Sequence, residues 1–506
     1  MQRRTRQRWA ERRVLASIWF AAKPGWHITA VSLAFLLTFV AIGFFVPLAS
    51  SADEAAHYVY AAAVVRGQAG LLEPTLPAAI DNIHAFATCI AFHPEVTAAC
   101  QLVETTESAE SAVLSQTNAG LYNPVFYVWT GLGSLMFPTE AGLYASRVLA
   151  TIVSSLTMGW GVSMLLRHAK TIWPSVAVFL LLTPMTLYVG GVLNPSAWEI
   201  VAMFAVMVSG WRILHDARTR PAWTEAHSLF LISGSILIVA RGLSPLWFGI
   251  GCVVLMIAAG RKRVTAMLSA SLTWIMLAPL IAIAGASALW VYFHGTNYVG
   301  IERPANLMEG LRSIPIFYSA YFEQAGQMYG KLGWLDIPSL PVLILAWVFL
   351  LGGFVLLSLG SSGTRAQVAI ILAFAALTII PGVLTGLQWS GVGWQGRYSL
   401  PLLAMVLVAC ALAVDRAFSA SPEPTPVETG QTGFFGVVVP LFFLVGVAAT
   451  TVRVVRRYLF GEPAPVLAEL VWSPPVPGAL LAIAFTVGVL ALTALVRFSA
   501  PTRVAV

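Results

Sequence analysis

ITAVSLAFLLTFVAIGFFVPLASSADEAAHYVYAAAVVRG, residues 28–67, decides how this chain is to be read. Its first half, 28–48, is an apolar run of the length that crosses a bilayer. Its second half sets Asp53, Glu54 and His57 within five positions, in a chain where only 10% of residues are charged. A span followed at once by two acids and a histidine marks either a capped helix or chemistry at the membrane surface. Ser51-Ala52-Asp53-Glu54 fits a capping box, with Ser51 as N-cap and Glu54 at N3. Acids in a first turn also suit the helix dipole. On the same helix Asp53 and His57 are neighbours four apart, as are Glu54 and Tyr58, which makes a polar cluster. Both readings stay open on the local sequence.

Outward from this stretch the pattern repeats. The chain has 506 residues, 58% of them hydrophobic, and apolar runs recur to its C-terminal end. We read about twelve spans: 28–48, 141–166, 173–192, 197–214, 228–241, 243–260, 266–293, 339–360, 367–387, 399–418, 434–453 and 477–497. Runs of Ala, Leu, Val and Ile at this length imply helices rather than a barrel. The expected fold is therefore an all-α, polytopic transmembrane bundle. The fifth and sixth spans are short and can form one bent hairpin around Gly242. No internal repeat is visible, so the inverted repeat of many transporters is not evident.

Lys and Arg number 29 against 22 Asp and Glu. Membrane orientation explains this excess better than nucleic acid does. Residues 1–27 carry Arg3, Arg4, Arg6, Arg8, Arg12, Arg13 and Lys23, a basic start expected in the cytoplasm and against anionic lipid. Alternation from there puts Arg167, Arg212, Arg261, Lys262, Arg263 and Arg365 inside, in line with the positive-inside rule. The stretch 49–124 holds eight acids and one base, Arg66, and is expected outside. Arg453, Arg456 and Arg457 also fall outside and break the rule: the last two spans are misplaced, or these arginines meet an anion. A cleaved signal peptide is not expected, because the first run is long and Val46–Ser50 matches a cleavage site only weakly.

The expected organisation is a basic N-terminus (1–27), one transmembrane domain (28–497) with a first outer loop (49–140) and a second (294–338), and a cytoplasmic tail (498–506). Segment 419–433 reads as a solvated inner linker. Cys252 and Cys410 lie in spans and read as core. Cys89 and Cys100 lie in the first outer loop, where an oxidising exterior favours a disulfide. Closing so short a loop stabilises it by roughly 3 kcal/mol on the chain-entropy account. The eight histidines are scattered and show no metal-ligand spacing.

Other polar residues gather at the outer ends of spans. Asn118–Trp129 (NAGLYNPVFYVW) reads as a Pro-led interfacial helix after Asn123, its aromatics at the interface. Arg147 follows inside an apolar run, where a lone arginine is costly and by default paired or functional. Asn194, Arg241, Lys331 with Asp336, and Gln395 with Arg397 and Tyr398 all stand at outer ends. Each alone can be a loop residue or a snorkelling anchor. Together they suggest one outward-facing cavity. For Asp336 and Asn194 a capping role is the simpler reading.

D-E-x-x-H at 53–57, N-P-x-x-Y at 123–127, N-P-S at 194–196, G-W-L-D at 333–336 and Q-G-R-Y-x-L-P at 395–401 resemble the hallmarks of a bacterial family of predicted polytopic membrane proteins, common in actinobacteria and formerly listed as a domain of unknown function. The resemblance spans nearly the whole chain. It departs at Ser196, where an acid is usual, and at Ala55, where proline is usual. That family in turn resembles the GT-C superfamily of membrane glycosyltransferases, with eleven to thirteen spans, an acidic motif in the first outer loop and flanking interfacial helices.

What the resemblance implies is a sugar donor on polyprenyl phosphate, reached from the outer face of the plasma membrane, and an envelope glycan or lipid as acceptor. Asp53 is then the expected catalytic base, with Glu54 orienting it or exchanging roles. Arg241 and Arg397, and thirdly Arg147, are expected to hold the phosphate. His57, Tyr58, Asn123, Asn194, Asp336, Gln395 and Tyr398 are expected to bind substrate. No cofactor is implied with certainty, and a divalent metal stays open. The alternatives are an envelope lipid or glycan transporter or flippase, which should place polar residues at mid-membrane, and a non-catalytic scaffold.

Overall fold

A computed structural model describes residues 24–102, 110–216, 222–294, 304–388, 394–420, 426–463, 470 and 472–499, and the structural statements below concern these. Most of the basic N-terminus, part of the 419–433 linker and the tail beyond 499 lie outside them. Helices form at all twelve expected positions. Nine are long and apolar enough to cross a membrane, or up to eleven when each of two bent pairs is one span. The remaining position, Glu225–Ala240, is a helix of 16 residues. At 1.5 Å per residue that is about 24 Å, short of a hydrocarbon core of roughly 30 Å. The expected count of twelve full spans is corrected accordingly.

The bends have local causes. Trp173–Leu181 and Pro184–Gly191 meet at 62°. Pro184 lacks an N–H and its ring excludes the preceding helical turn. Thr183 therefore turns extended and restarts the helix, its Oγ1 accepting from Thr186 N at 3.2 Å and donating to Met328 O at 2.9 Å. Ser244–Ala259 and Arg261–Leu268 meet at 119°. The corner is Gly260, at φ +80°, open to glycine without a Cβ penalty. The fifth and sixth expected spans are two helices, broken at Arg241–Leu243.

Pro24–Phe45 packs between Gly142–Arg167 and Gly478–Ser499. It also meets Pro184–Gly191 backbone to backbone: a Cβ on Gly43 would strike the Gly191 carbonyl. Small residues permit such contact between membrane helices. Ser196–Asp216 and Leu400–Ala420 are buried along most of their length. Ser271–His294 and Pro341–Ser361 instead expose apolar side chains, among them Ile275 (64%), Phe349 (78%) and Leu356 (71%). Water would penalise such a surface and lipid does not. The chain is a multi-pass, all-α membrane protein.

One end of the bundle carries the 46–141 segment. It contains the helix Glu54–Val64, an antiparallel pair of Thr75–Pro77 with Ala112–Leu114, and the disulfide Cys89–Cys100. The helix Val125–Met136 buries Phe126, Tyr127 and Thr130 and exposes Val128, Trp129 and Met136. A second hairpin, Lys331–Leu332 with Ile337–Pro338, joins this end. Ala52 N donates to Gly333 O at 3.3 Å and Trp334 Nε1 to Ala49 O at 3.0 Å.

Arg457 ties the disulfide loop down. It donates to the carbonyls of Ile90 (2.7 Å), His93 (2.8 Å) and Val96 (3.0 Å) and pairs with Asp336 at 3.5 Å. Arg453 pairs with Glu462 at 3.1 Å. Protein groups thus meet two of the three arginines that break the charge rule.

Candidate functional site

The expected capping box does not form. The helix starts at Glu54, its N-cap is Asp53 at φ +68°, and the Asp53 side chain makes no cap bond. Aspartate tolerates this left-handed backbone better than most residues. The two adjacent acids take separate partners. Glu54 faces Arg147 in the interior, and Asp53 faces Arg397.

Glu54 and Arg147 are both buried, at 0% and 1% exposure. Arg147 Nε and Nη2 grip the carboxylate at 2.8 and 2.7 Å. Nη1 donates to the carbonyls of Gly43 (2.5 Å) and Val46 (3.1 Å), and Nη2 also to Pro47 (2.7 Å). A guanidinium has five N–H donors, so all are used. Leu193 N donates to Glu54 Oε1 at 2.8 Å. This correction removes Arg147 from the phosphate-holding set, because no donor remains. Glu54 is likewise a strut between three elements.

The Asp53 side chain is 47% exposed, while the Arg397 side chain beneath it is 3% exposed. Arg397 Nη2 donates to Asp53 Oδ2 and lies 3.4 Å from the Tyr398 hydroxyl. Its Nε is buried with no partner in the protein, and so is Gln395 Oε1. Arg241, at the break between two helices, donates to Ser196 Oγ at 3.0 Å and the Tyr122 hydroxyl at 3.1 Å. Its guanidinium carbon sits 4.2 Å from the Tyr398 ring centre, and that of Arg397 sits 5.2 Å from the same ring. Glu199 approaches Arg241 at 3.9 Å and accepts from Ser244 Oγ at 2.6 Å. His57 Nδ1 lies 2.9 Å from the Tyr127 hydroxyl.

Charge follows from these contacts. Burial pushes the Asp53 carboxyl up, but the Arg397 and Arg241 guanidinium groups outweigh it and hold it below the usual carboxylate range. Burial drives His57 down to about 3, against a smaller upward pull from Asp53. The site is thus an ionised carboxylate and a neutral imidazole beside two guanidinium groups.

Asp53, His57, Arg241, Arg397 and Tyr398 are the expected site residues that gather here, with Gln395 two positions before Arg397. The side chains of the others are engaged by protein groups. The Tyr58 hydroxyl donates to Thr139 O at 2.5 Å. Asn123 Oδ1 accepts from Val125 N, and Asn194 Oδ1 from Ser196 N, each at 3.0 Å, as turn caps. Asp336 accepts from Trp334 N at 2.9 Å and pairs with Arg457. Tyr122, Tyr127, Ser196 and Ser244 join the cluster without having been expected there. Tyr122 and Tyr127 flank the Asn123-Pro124 turn, but aromatics near a span read first as interface residues.

Among the described residues no three His, Cys, Asp or Glu side chains group as metal ligands. Asp53 is engaged by arginine and Glu54 is enclosed, so this donor set does not fit a divalent cation.

Solved structures of similar course include ArnT from Cupriavidus metallidurans bound to undecaprenyl phosphate, at 13% identity and a TM-score of 0.40, covering 93% of this chain and 78% of that one. Another is the oligosaccharyltransferase AglB from Archaeoglobus fulgidus in complex with an inhibitory peptide and a dolichol-phosphate, at 12% identity and a TM-score of 0.40, covering 88% of this chain and 57% of that one. No curated protein sequence matches the chain. The predicted membrane protein family DUF2142 matches residues 36–406, a stretch that holds every member of the Asp53 cluster, and the chain belongs to that family.

Proposed function

We propose that this protein is an integral membrane glycosyltransferase that moves a sugar from a polyprenyl-phosphate donor to an envelope glycan or lipid. The observation that carries the reading is one half-open carboxylate, Asp53, facing two guanidinium groups, Arg241 and Arg397, that share one tyrosine ring. The acceptor hydroxyl oxygen attacks the anomeric carbon as the bond from that carbon to the phosphate oxygen breaks. The bonding pair leaves with the phosphate, and the proton passes to Asp53. Arg397, with an unpartnered Nε, and Arg241 stabilise the charge on the leaving phosphate. Gln395 Oε1 and the neutral His57 suit sugar hydroxyls. In this reading the Asp53 end faces outward at the plasma membrane, the N-terminus is cytoplasmic, and 28–497 act as one domain. No step is routed through a metal. The transporter alternative would draw on the bent Trp173–Gly191 pair, but the Thr183 hydroxyl closes that bend on Met328 O and the residues around it are buried.

The test is a panel of polyprenyl-phosphate sugars offered to the purified protein. Transfer should occur, and Arg397→Ala should raise the donor KM roughly 10- to 100-fold, the worth of a charge-assisted hydrogen bond. The acceptor KM should stay within about twofold. Equal loss for both substrates would count against a phosphate clamp.

The pH profile provides a second check. Asp53 is held below the usual carboxylate range in the free protein, so the acid limb of kcat/KM should lie below that range. A bound phosphate shares Arg397 and Arg241 and relieves their pull, so the limb of kcat should lie higher. His57, at about 3, should give no inflection near 6.5. An inflection there that vanishes in His57→Gln would refute the neutral imidazole.

A further inference from the structure

At the opposite end of the bundle, we propose a second binding site, for a phosphate monoester or diester group. A cavity of 640 Å³ opens there, lined by Lys262, Arg263, Arg365 and Arg416 and, among the described residues, by no acidic one. These four cations come from three separate segments, so sequence proximity does not explain their convergence. Asp415, next to Arg416 in sequence, accepts from Thr171 N and Oγ1, both at 2.7 Å.

Two further features point to an anion. The first turns of the helices that begin at Arg261 and Thr364 both line the cavity, and helix starts present unpaired N–H groups to negative charge. Ser362 Oγ, in the same lining, is buried with no partner in the protein. The position of Arg365 is built in: its guanidinium lies over Gly260, where a Cβ would collide with it. Membrane orientation accounts for cations at this end in general. It does not account for a concave, acid-free lining with an orphaned hydroxyl. Trp211 in the apolar part of the lining suits a ligand with a hydrocarbon portion.

The ligand can be a lipid headgroup or a soluble phosphate, and the test separates them. Full-length protein in neutral detergent is titrated with dioctanoyl phosphatidylglycerol, with dioctanoylglycerol, and with inorganic phosphate. We expect saturable binding of the phospholipid and none of dioctanoylglycerol. Arg365→Ala combined with Arg416→Ala, both exposed positions, should weaken binding at least about tenfold. Arg261→Ala, a neighbouring cation outside the lining, should change it less than twofold. Competition by inorganic phosphate supports the site and assigns it to a soluble ligand, and its absence assigns it to a headgroup. Failure of both phosphate probes to bind, or an equal effect of Arg261→Ala, overturns the proposal.

Discussion

Asp53→Asn should stop sugar transfer while leaving the protein folded. Loss of a general base costs about 10²- to 10⁴-fold, and the whole loss should fall on kcat. Three features make the substitution clean. Asparagine tolerates the left-handed backbone at φ +68°. The Asp53 side chain makes no cap bond, so the Glu54–Val64 helix keeps its start. The amide oxygen can still accept from Arg397 Nη2. Removing the negative charge should leave Arg397 more available to phosphate, so the donor KM should hold or fall. Kinetics on purified variant and parent, with a melting curve for each, check this. Wild-type turnover in Asp53→Asn would remove the mechanism, and an equal rise in the donor KM would move Asp53 from base to binding group.

The helix positions were legible because apolar length is a one-dimensional signal. The breaks were less so. Pro184 looks like any proline inside an apolar run, and only the Thr183 cap behind it shows that the helix restarts. The site was half legible. Asp53, Arg241, Arg397 and Tyr398 stood out as polar residues at span ends, where charge is rare. Their partners did not. Tyr122 read as an interface aromatic, and Tyr127, although it closes the N-P-x-x-Y motif, gave no local sign that its hydroxyl meets His57.

Ser196 is instructive. It stands where the resemblance led to the expectation of an acid, and its hydroxyl is what Arg241 Nη1 reaches. An acid there would add a second carboxylate beside that guanidinium, next to Glu199 at 3.9 Å. Serine leaves more of the positive charge for a ligand. The capping box failed for a related reason. A local rule assigned Glu54 to its own helix end, but a buried arginine 93 positions away competes more strongly for the same carboxylate.

Arg147→Met should be among the most damaging single changes in the chain. Breaking a buried ion pair by removing one partner costs about 3–5 kcal/mol, because the other charge is left uncompensated. Here the loss is larger in kind. The same guanidinium also serves the carbonyls of Gly43, Val46 and Pro47, and each buried orphan costs about 1–3 kcal/mol more. Glu54→Gln should be milder, since its amide oxygen can still accept from Leu193 N and Arg147. Pairing Glu54→Leu with Arg147→Met should not restore stability, although such swaps are often neutral elsewhere, because the three carbonyls stay orphaned. Unfolding in mixed detergent micelles should rank the variants in that order. The same series separates frame from site. Glu54→Gln that remains folded should bind donor with the parent's KM, because Arg397 and Arg241 are untouched. A Glu54→Gln protein as stable as its parent but unable to hold the donor would return Glu54 and Arg147 to the binding machinery.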